Sequence, residues 1–412
     1  MKYIVVALIM AFSSAFANES LRFEYAPIFY HSRSLSNSIS ALAALENAPL
    51  EFEPGQGYLK SALKALHVSP ESQVLVFKST SFQKDRIAPK TPRAIYFNDT
   101  TFVGWIPGAD YLEVISVDPF LGPIFYTLKQ EPTLAPQFDR NNKDCLDCHS
   151  GAATQGVPGL FVRSIFSKGE GRYKTVNVYH QTPLSDRWGG WYVTGKHGRS
   201  THKGNLPEDQ DIQGDEHLNV VDLNPFFDTD PYLNPHSDLM ALMVLEHQCH
   251  MLNLIIRANY RVRLLLNDHQ IDPLDPTATL PKKLASEVTR HAAALTRYML
   301  FTKEAALNGA LSGTSKFAQD FSDQGIRDEQ GRSLRDFDGT QRLFKYPCSY
   351  LIYSENFNML PFVVKQAVMK RLHTVLTTNE LDEDFPHLSA EDKKAIYKIL
   401  EGTLPGLPGY WK

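Results

Sequence analysis

Cysteine is scarce in this chain: four residues in 412, at Cys145, Cys148, Cys249 and Cys348. That excludes the small disulfide-stapled scaffolds, which a chain long enough to bury a sizeable core does not need. A strong charge of one sign is missing too. With 42 Lys and Arg against 46 Asp and Glu the formal net charge is -4, which gives no electrostatic footprint for nucleic acid or for an anionic membrane surface. No fixed-period repeat and no long low-complexity tract occurs, which excludes solenoids and propellers. The apolar run at residues 3–12 is about half the ~20 residues a bilayer-spanning helix requires, so no permanent membrane anchor is expected.

What that run does provide is a leader. Lys2 gives a positive start, the apolar stretch follows, and Ala15-Phe16-Ala17 is a small-x-small cleavage signal, so residues 1–17 read as a secretory signal peptide and the mature protein as periplasmic or otherwise exported. The full chain is 43% hydrophobic and 21% charged, the balance of a soluble globular protein. Its length suits two or three domains or one large elaborated one.

The scarce cysteines are unevenly placed. The run NNKDCLDCHS puts Cys145 and Cys148 two residues apart with His149 directly behind. C-x-x-C-H suits one covalently attached c-type haem: two thiols at this spacing add to the two vinyl groups of one porphyrin edge, and the next imidazole binds the iron as proximal ligand. The competing readings are a redox-active dithiol, a zinc half-site and chance. A thioredoxin-like pair wants a strand before it and a helix starting at it, whereas residues 132–143 read as an irregular polar approach. A structural zinc needs a second ligand pair, which Cys249 and Cys348 do not form in sequence. Those two are left as a disulfide or as two buried thiols, with Cys249 a catalytic candidate because the neighbouring His250, as an imidazolium, would lower its pKa.

Along the chain, residues 72–129 hold five short segments rich in β-branched and aromatic residues (SQVLVFK, PRAIYFN, TFVGWI, YLEVISV, PIFYTLK), separated by turn residues. They predict an antiparallel sheet, preceded by one or two short helices within 42–66. GLFVRSI, YKTVNVY and GGWYVTG predict further strands after the haem motif. Residues 196–238 form a long polar connection, read as a site-forming loop or a flap. Then apolar residues at three-and-four spacing predict a helix of some 25 residues capped by Ser237 or Asp238, with others at 284–307, 361–377 and 390–400, the last opened by the Ser389/Asp392 capping pattern. The fold class is α+β: a sheet-rich region at 18–235 carrying the motif and a mainly helical region at 236–412, together enclosing the haem.

The sixth coordination position separates carriers from enzymes. His247, His250, Met243, Met251 and Met359 are the candidates to fill it, and an open position is the alternative. His247 and His250 share a helix face, and Glu246 stands near His250 in the same helix. A second cluster, residues 179–205, gathers His180, Arg187, Trp188, Trp191, His197, His202 and Lys203 among glycines that permit close backbone approach. Arg187 and Lys203 are candidates for a haem propionate or an anionic substrate. His247, His180, His197 and Arg187 are the expected distal or substrate-binding groups, since peroxide cleavage wants an acid/base imidazole and a cation. The bland alternative is a glycine-kinked hairpin with solvated histidines.

The motif CLDCHS, with TPRAIYFND, RWGGWYVTGKHG, LMVLEHQ and LFKYPCSYLIYS, resembles stretches of large exported bacterial proteins described as cytochrome c domain-containing, over most of the mature chain. The resemblance implies haem c with His149 as proximal ligand, and no particular reaction. Dihaem peroxidases carry two such motifs and fit poorly; a small cytochrome c needs only a fraction of this chain. The expected function is a monohaem redox enzyme acting on a small molecule and exchanging electrons with a redox partner. The alternatives are a non-catalytic electron-transfer cytochrome and a haem-based sensor.

Overall fold

A computed structural model describes residues 21–45, 50–169, 171–206, 218–378, 380 and 382–411. The leader at 1–17 and part of the long connection, 207–217, lie outside the described residues. In chain order the elements are α1 (Ser38–Ala43), α2 (Leu59–Ala65), β1 (Val74–Val76), β2 (Arg93–Phe97), β3 (Thr101–Trp105), β4 (Tyr111–Asp118), β5 (Gly122–Lys129) and β6 (Phe138–Arg140). There follow α3 (Asn142–His149), β7 (Val162–Ser167), β8 (Tyr173–Val178), β9 (Trp191–Tyr192), β10 (Lys196–His197) and α4 (Leu239–Asp268). The chain closes with α5 (Lys282–Met299), β11 (Leu311–Ser312), α6 (Phe317–Asp323), α7 (Glu355–Asn358), α8 (Phe362–Thr377) and α9 (Ala390–Thr403).

The protein is mixed α and β, with the antiparallel sheet in the N-terminal half and the helices mainly in the C-terminal part. The five predicted strands form the centre of a seven-stranded sheet in the order β6-β5-β4-β3-β2-β1-β9, antiparallel at every pairing. β7 and β8 make a separate hairpin, and β10 pairs with β11.

Alternation along the strands divides the sheet into two faces. Ala94, Tyr96, Leu112 and Val114 are buried against α2 and the N-terminal segment, in a core that also takes Ile256 and Tyr260 from α4. On the other face Val76, Phe97, Phe102 and Val117 join the core built by α4, α5, α8 and α9. α4 therefore belongs to both cores, and apolar packing runs across the sequence boundary at 235. By length and composition α4 alone among the described helices is apolar enough to cross a membrane, but it is almost wholly buried inside the fold. Asp238 caps it, accepting from the N–H groups of Met240 (2.8 Å) and Ala241 (3.0 Å). The Ser389/Asp392 capping box at α9 is formed as predicted. The helix expected over 284–307 ends at Met299, because Phe301 and Lys303 take left-handed backbone (φ 57° and 61°).

One sequence expectation is corrected next to the motif. The approach is not irregular throughout: Phe138–Arg140 pairs with β5, and the motif lies within a helix beginning at Asn142.

Candidate functional site

Cys145, Cys148 and His149 stand at i, i+3 and i+4 of α3, so the helix gathers all three on one face. Together they line a largely apolar cavity of about 570 Å³, within the roughly 300–1,000 Å³ of cofactor pockets. Its floor is set by strand register. Ile95, Gly104, Glu113 and Thr127 face one another across β2 to β5, and Phe102, Ile115 and Phe125 form the adjoining row. A Cβ on Gly104 would meet Arg93 Cδ at 3.5 Å and Glu113 Cβ at 3.6 Å, ordinary contacts, so the glycine leaves room above the floor rather than serving the backbone. β7 supplies a wall together with Trp191, whose indole N–H donates to the carbonyl of Arg163 at 2.8 Å, and α4 contributes Leu245 and Cys249.

His149 is held in one tautomer. Its Nδ1 lies 2.8 Å from the carbonyl of Gly159, which can only accept, so Nδ1 carries the proton and Nε2 keeps the lone pair. The N–H of Gly159 returns a 2.8 Å bond to the carbonyl of His149, and the ring lies against Phe125 (5.0 Å) and Phe161 (5.1 Å). Burial pushes the imidazole down to about 4 against the Gly159 bond, so it is neutral near pH 7, as metal ligation requires. Gly159 admits no side chain: a Cβ would stand 2.3 Å from Asn253 Oδ1 and 2.8 Å from Thr154 Cβ. Asn253, on α4, pins the same segment by accepting from Leu160 N–H (2.9 Å) and donating to its carbonyl (2.6 Å).

Cys145 lacks the lowered pKa of a reactive dithiol's nucleophile. Such pairs use a helix N-terminus or a cation to lower the thiol pKa, whereas burial, with Glu113 and Asp144, pushes Cys145 up to about 12. Among the described residues no group of three or more His, Cys, Asp or Glu is arranged to hold a bare metal ion. Cys249 and Cys348 are buried free thiols, not a disulfide. Burial pushes Cys348 up to about 12 and Cys249 upward as well, and it drives His250 down to about 3, so the imidazolium expected to activate Cys249 is not formed at neutral pH.

His247, His180 and Arg187 do meet, in a second and fully buried cluster. His180 Nδ1 lies 3.1 Å from His247 Nδ1, and His247 Nε2 lies 2.7 Å from Ser349 Oγ. Each nitrogen of the Arg187 guanidinium donates one bond, to Glu246 (2.8 Å) and to the carbonyls of Thr182 (2.8 Å) and His180 (2.9 Å), while the Trp188 indole N–H donates to the other oxygen of Glu246. Burial raises Glu246 to about 7 against these donors and lowers His247 to about 3. None of these residues lines the cavity, because Leu245 and Cys249 occupy one face of α4 and Glu246, His247 and His250 turn roughly 100° or more away from Leu245. Arg187, expected to receive a propionate or substrate anion, is already committed to Glu246.

His197 is elsewhere again, on β10, where its Nε2 accepts from the N–H of Asn219 at 2.9 Å. Met243 and Met251 are core residues, Met359 is partly exposed, and none of the three lines the cavity. The glycines of that stretch do allow close approach: a Cβ at Gly189 would meet the carbonyl oxygen of Ile165 at 2.7 Å. Sequence reasoning missed Gly159, Asn253, Arg93, Glu113 and Arg163. The last three carried a faint signal as charged residues inside otherwise apolar strands.

Compared with family models, with curated proteins and with solved structures, the chain matches none.

Proposed function

We propose that this chain is an exported monohaem c-type protein, with one porphyrin joined to Cys145 and Cys148 by thioethers and its iron held by His149 Nε2, and that it acts as a redox enzyme on a small molecule. The observation carrying this reading is the cavity: two thiols and an imidazole on one helix face, beside an apolar space of cofactor size, with the imidazole proton tied to the Gly159 carbonyl and the other nitrogen left to bind metal. When bound, the haem supplies a one-electron couple and a coordination position. The chain's own part is to orient His149 through Gly159 and Asn253, to keep water from the porphyrin faces with Phe102, Ile115 and Phe125, and to admit a partner that exchanges electrons. The leader at 1–17 supports export to a compartment where haem is attached to such motifs.

Among the described residues lining the cavity, His149 is the only histidine and there is no methionine. This supports an iron open to an external ligand, hence an enzyme before a carrier. The non-catalytic electron-transfer protein is the second reading, favoured by the presence in the lining of Cys249 and Lys78, either of which has an atom able to close the iron. Mass spectrometry of the mature chain, made with the haem attachment machinery, should show one added haem that Cys145→Ala/Cys148→Ala abolishes; an unmodified mass sinks the proposal. Band shifts with cyanide and CO separate the open iron from the closed one.

A further inference from the structure

We infer that the cavity takes a ligand bearing a carboxylate or small oxyanion, gripped by Arg163 and supported by Arg93. The inference rests on the haem-protein reading for what else fills the cavity, and on charge chemistry for what the arginines do.

Both arginines line the cavity, from opposite structures: Arg93 from the sheet floor and Arg163 from the hairpin. Arg93 is balanced. Its guanidinium donates to Glu113 at 2.9 Å, both side chains being under one-fifth exposed, and Glu113 is fixed by Ser81 Oγ (3.2 Å) and Gln83 Nε2 (3.1 Å). Held by three donors, Glu113 is a positioning residue that aims Arg93. Arg93 Nε is buried without a partner.

Arg163 is not balanced. It is half-buried, lies 4.5 Å over the Phe161 ring, makes a long 3.4 Å bond to Asn177, and has no carboxylate partner among the described residues. A guanidinium withdrawn from water on an apolar wall is costly until an anion meets it, and its planar fork matches two oxygens. Asp144 and Asp147 also line the cavity but are exposed, where water screens them. The shared chemistry has two sources: a propionate of the porphyrin itself, or a free anion approaching it.

The test uses the full mature chain and its Arg163→Gln and Arg163→Lys variants. The mass of the wild-type chain decides the haem reading separately. If haem is attached, haem content and azide binding are measured, with CO binding to the reduced protein as the neutral control. A free-anion site predicts at least tenfold weaker azide in Arg163→Gln with CO and haem content unchanged. A propionate site predicts haem content lowered at least threefold with azide unchanged. If the chain is colourless, anilinonaphthalene sulfonate replaces azide and uncharged phenylnaphthylamine replaces CO, with the same tenfold expectation for the anionic dye. Arg163→Lys, which keeps charge without the fork, should fall between wild type and Arg163→Gln. Anion affinity and haem content both unchanged in Arg163→Gln, or the anionic dye unaffected in a colourless protein, overturns the inference.

Discussion

At the residue scale the site depends on positions that look ordinary in the sequence. Asn253 satisfies both backbone groups of Leu160. Asn253→Ala strands a buried donor and acceptor, and should cost about 2–4 kcal/mol in a denaturant titration while loosening the hold on His149. An unchanged midpoint would remove Asn253 from the account. Gly104→Leu tests the cavity: the Cβ fits and the rest of the side chain projects above the floor, so far-ultraviolet circular dichroism should match wild type while, on the proposed haem reading, haem content falls severalfold. The grouping of Cys145, Cys148 and His149 was legible because it lies within five consecutive residues. Gly159 was not, since its need for glycine comes from Asn253, far along the chain, and neither was Arg163, whose meaning is the lack of a carboxylate nearby in space.

Among the elements, α4 carries the largest electrostatic commitment. His247 and His250 are pushed to about 3 by burial, and His180, which faces them, is pushed down as well, so all are neutral in the folded protein. A histidine with a lowered folded pKa contributes stability that is whole above about 6.5 and is lost as pH falls towards 3, with a slope of roughly 1.4 kcal/mol per pH unit for each group. Glu246 and Glu304, raised to about 7, act in the opposite sense: their burial is costly when ionised, and that cost is relieved as pH falls from about 7 to 4.5. The two effects oppose each other down to about 4.5 and only the histidines continue below it. Unfolding midpoints across pH 7.5 to 3.5 should therefore fall most steeply below 4.5, and a uniform decline from 7 would refute the sign argument. Arg187→Ala leaves Glu246 buried and unpaired, and should cost about 3–5 kcal/mol in thermal or denaturant unfolding. Enrichment in β-branched and aromatic residues between turn residues made the strands legible, and Asp238 and Ser389 announced their helices. Which face of α4 looks into the cavity was hidden, because a helix that is buried nearly all round has no polar side to orient it.

For the whole molecule, the division at 235 is a change of secondary structure and not of core. Both apolar clusters draw on α4, which packs against the sheet, α5 and α6. A fragment of residues 18–235 should accordingly melt without a cooperative transition when followed by circular dichroism; a sharp transition would show that the sheet region closes a core by itself. A group bound only by the folded state also stabilises it. If haem is attached as proposed, the loaded protein should thus melt well above the Cys145→Ala/Cys148→Ala chain, by several degrees in calorimetry. The α+β class was readable from the switch from β-branched and aromatic segments to three-and-four apolar spacing, while the sharing of one helix between two cores has no counterpart in local pattern.

That shared helix also bears on how a cofactor could be enclosed. Cys145 and Cys148 precede Leu245 and Cys249 in the chain, so on the proposed reading an exported polypeptide would offer its two thiols while the chamber still lacks a wall. If a bulky planar guest enters at that point, the docking of α4 would then close it in.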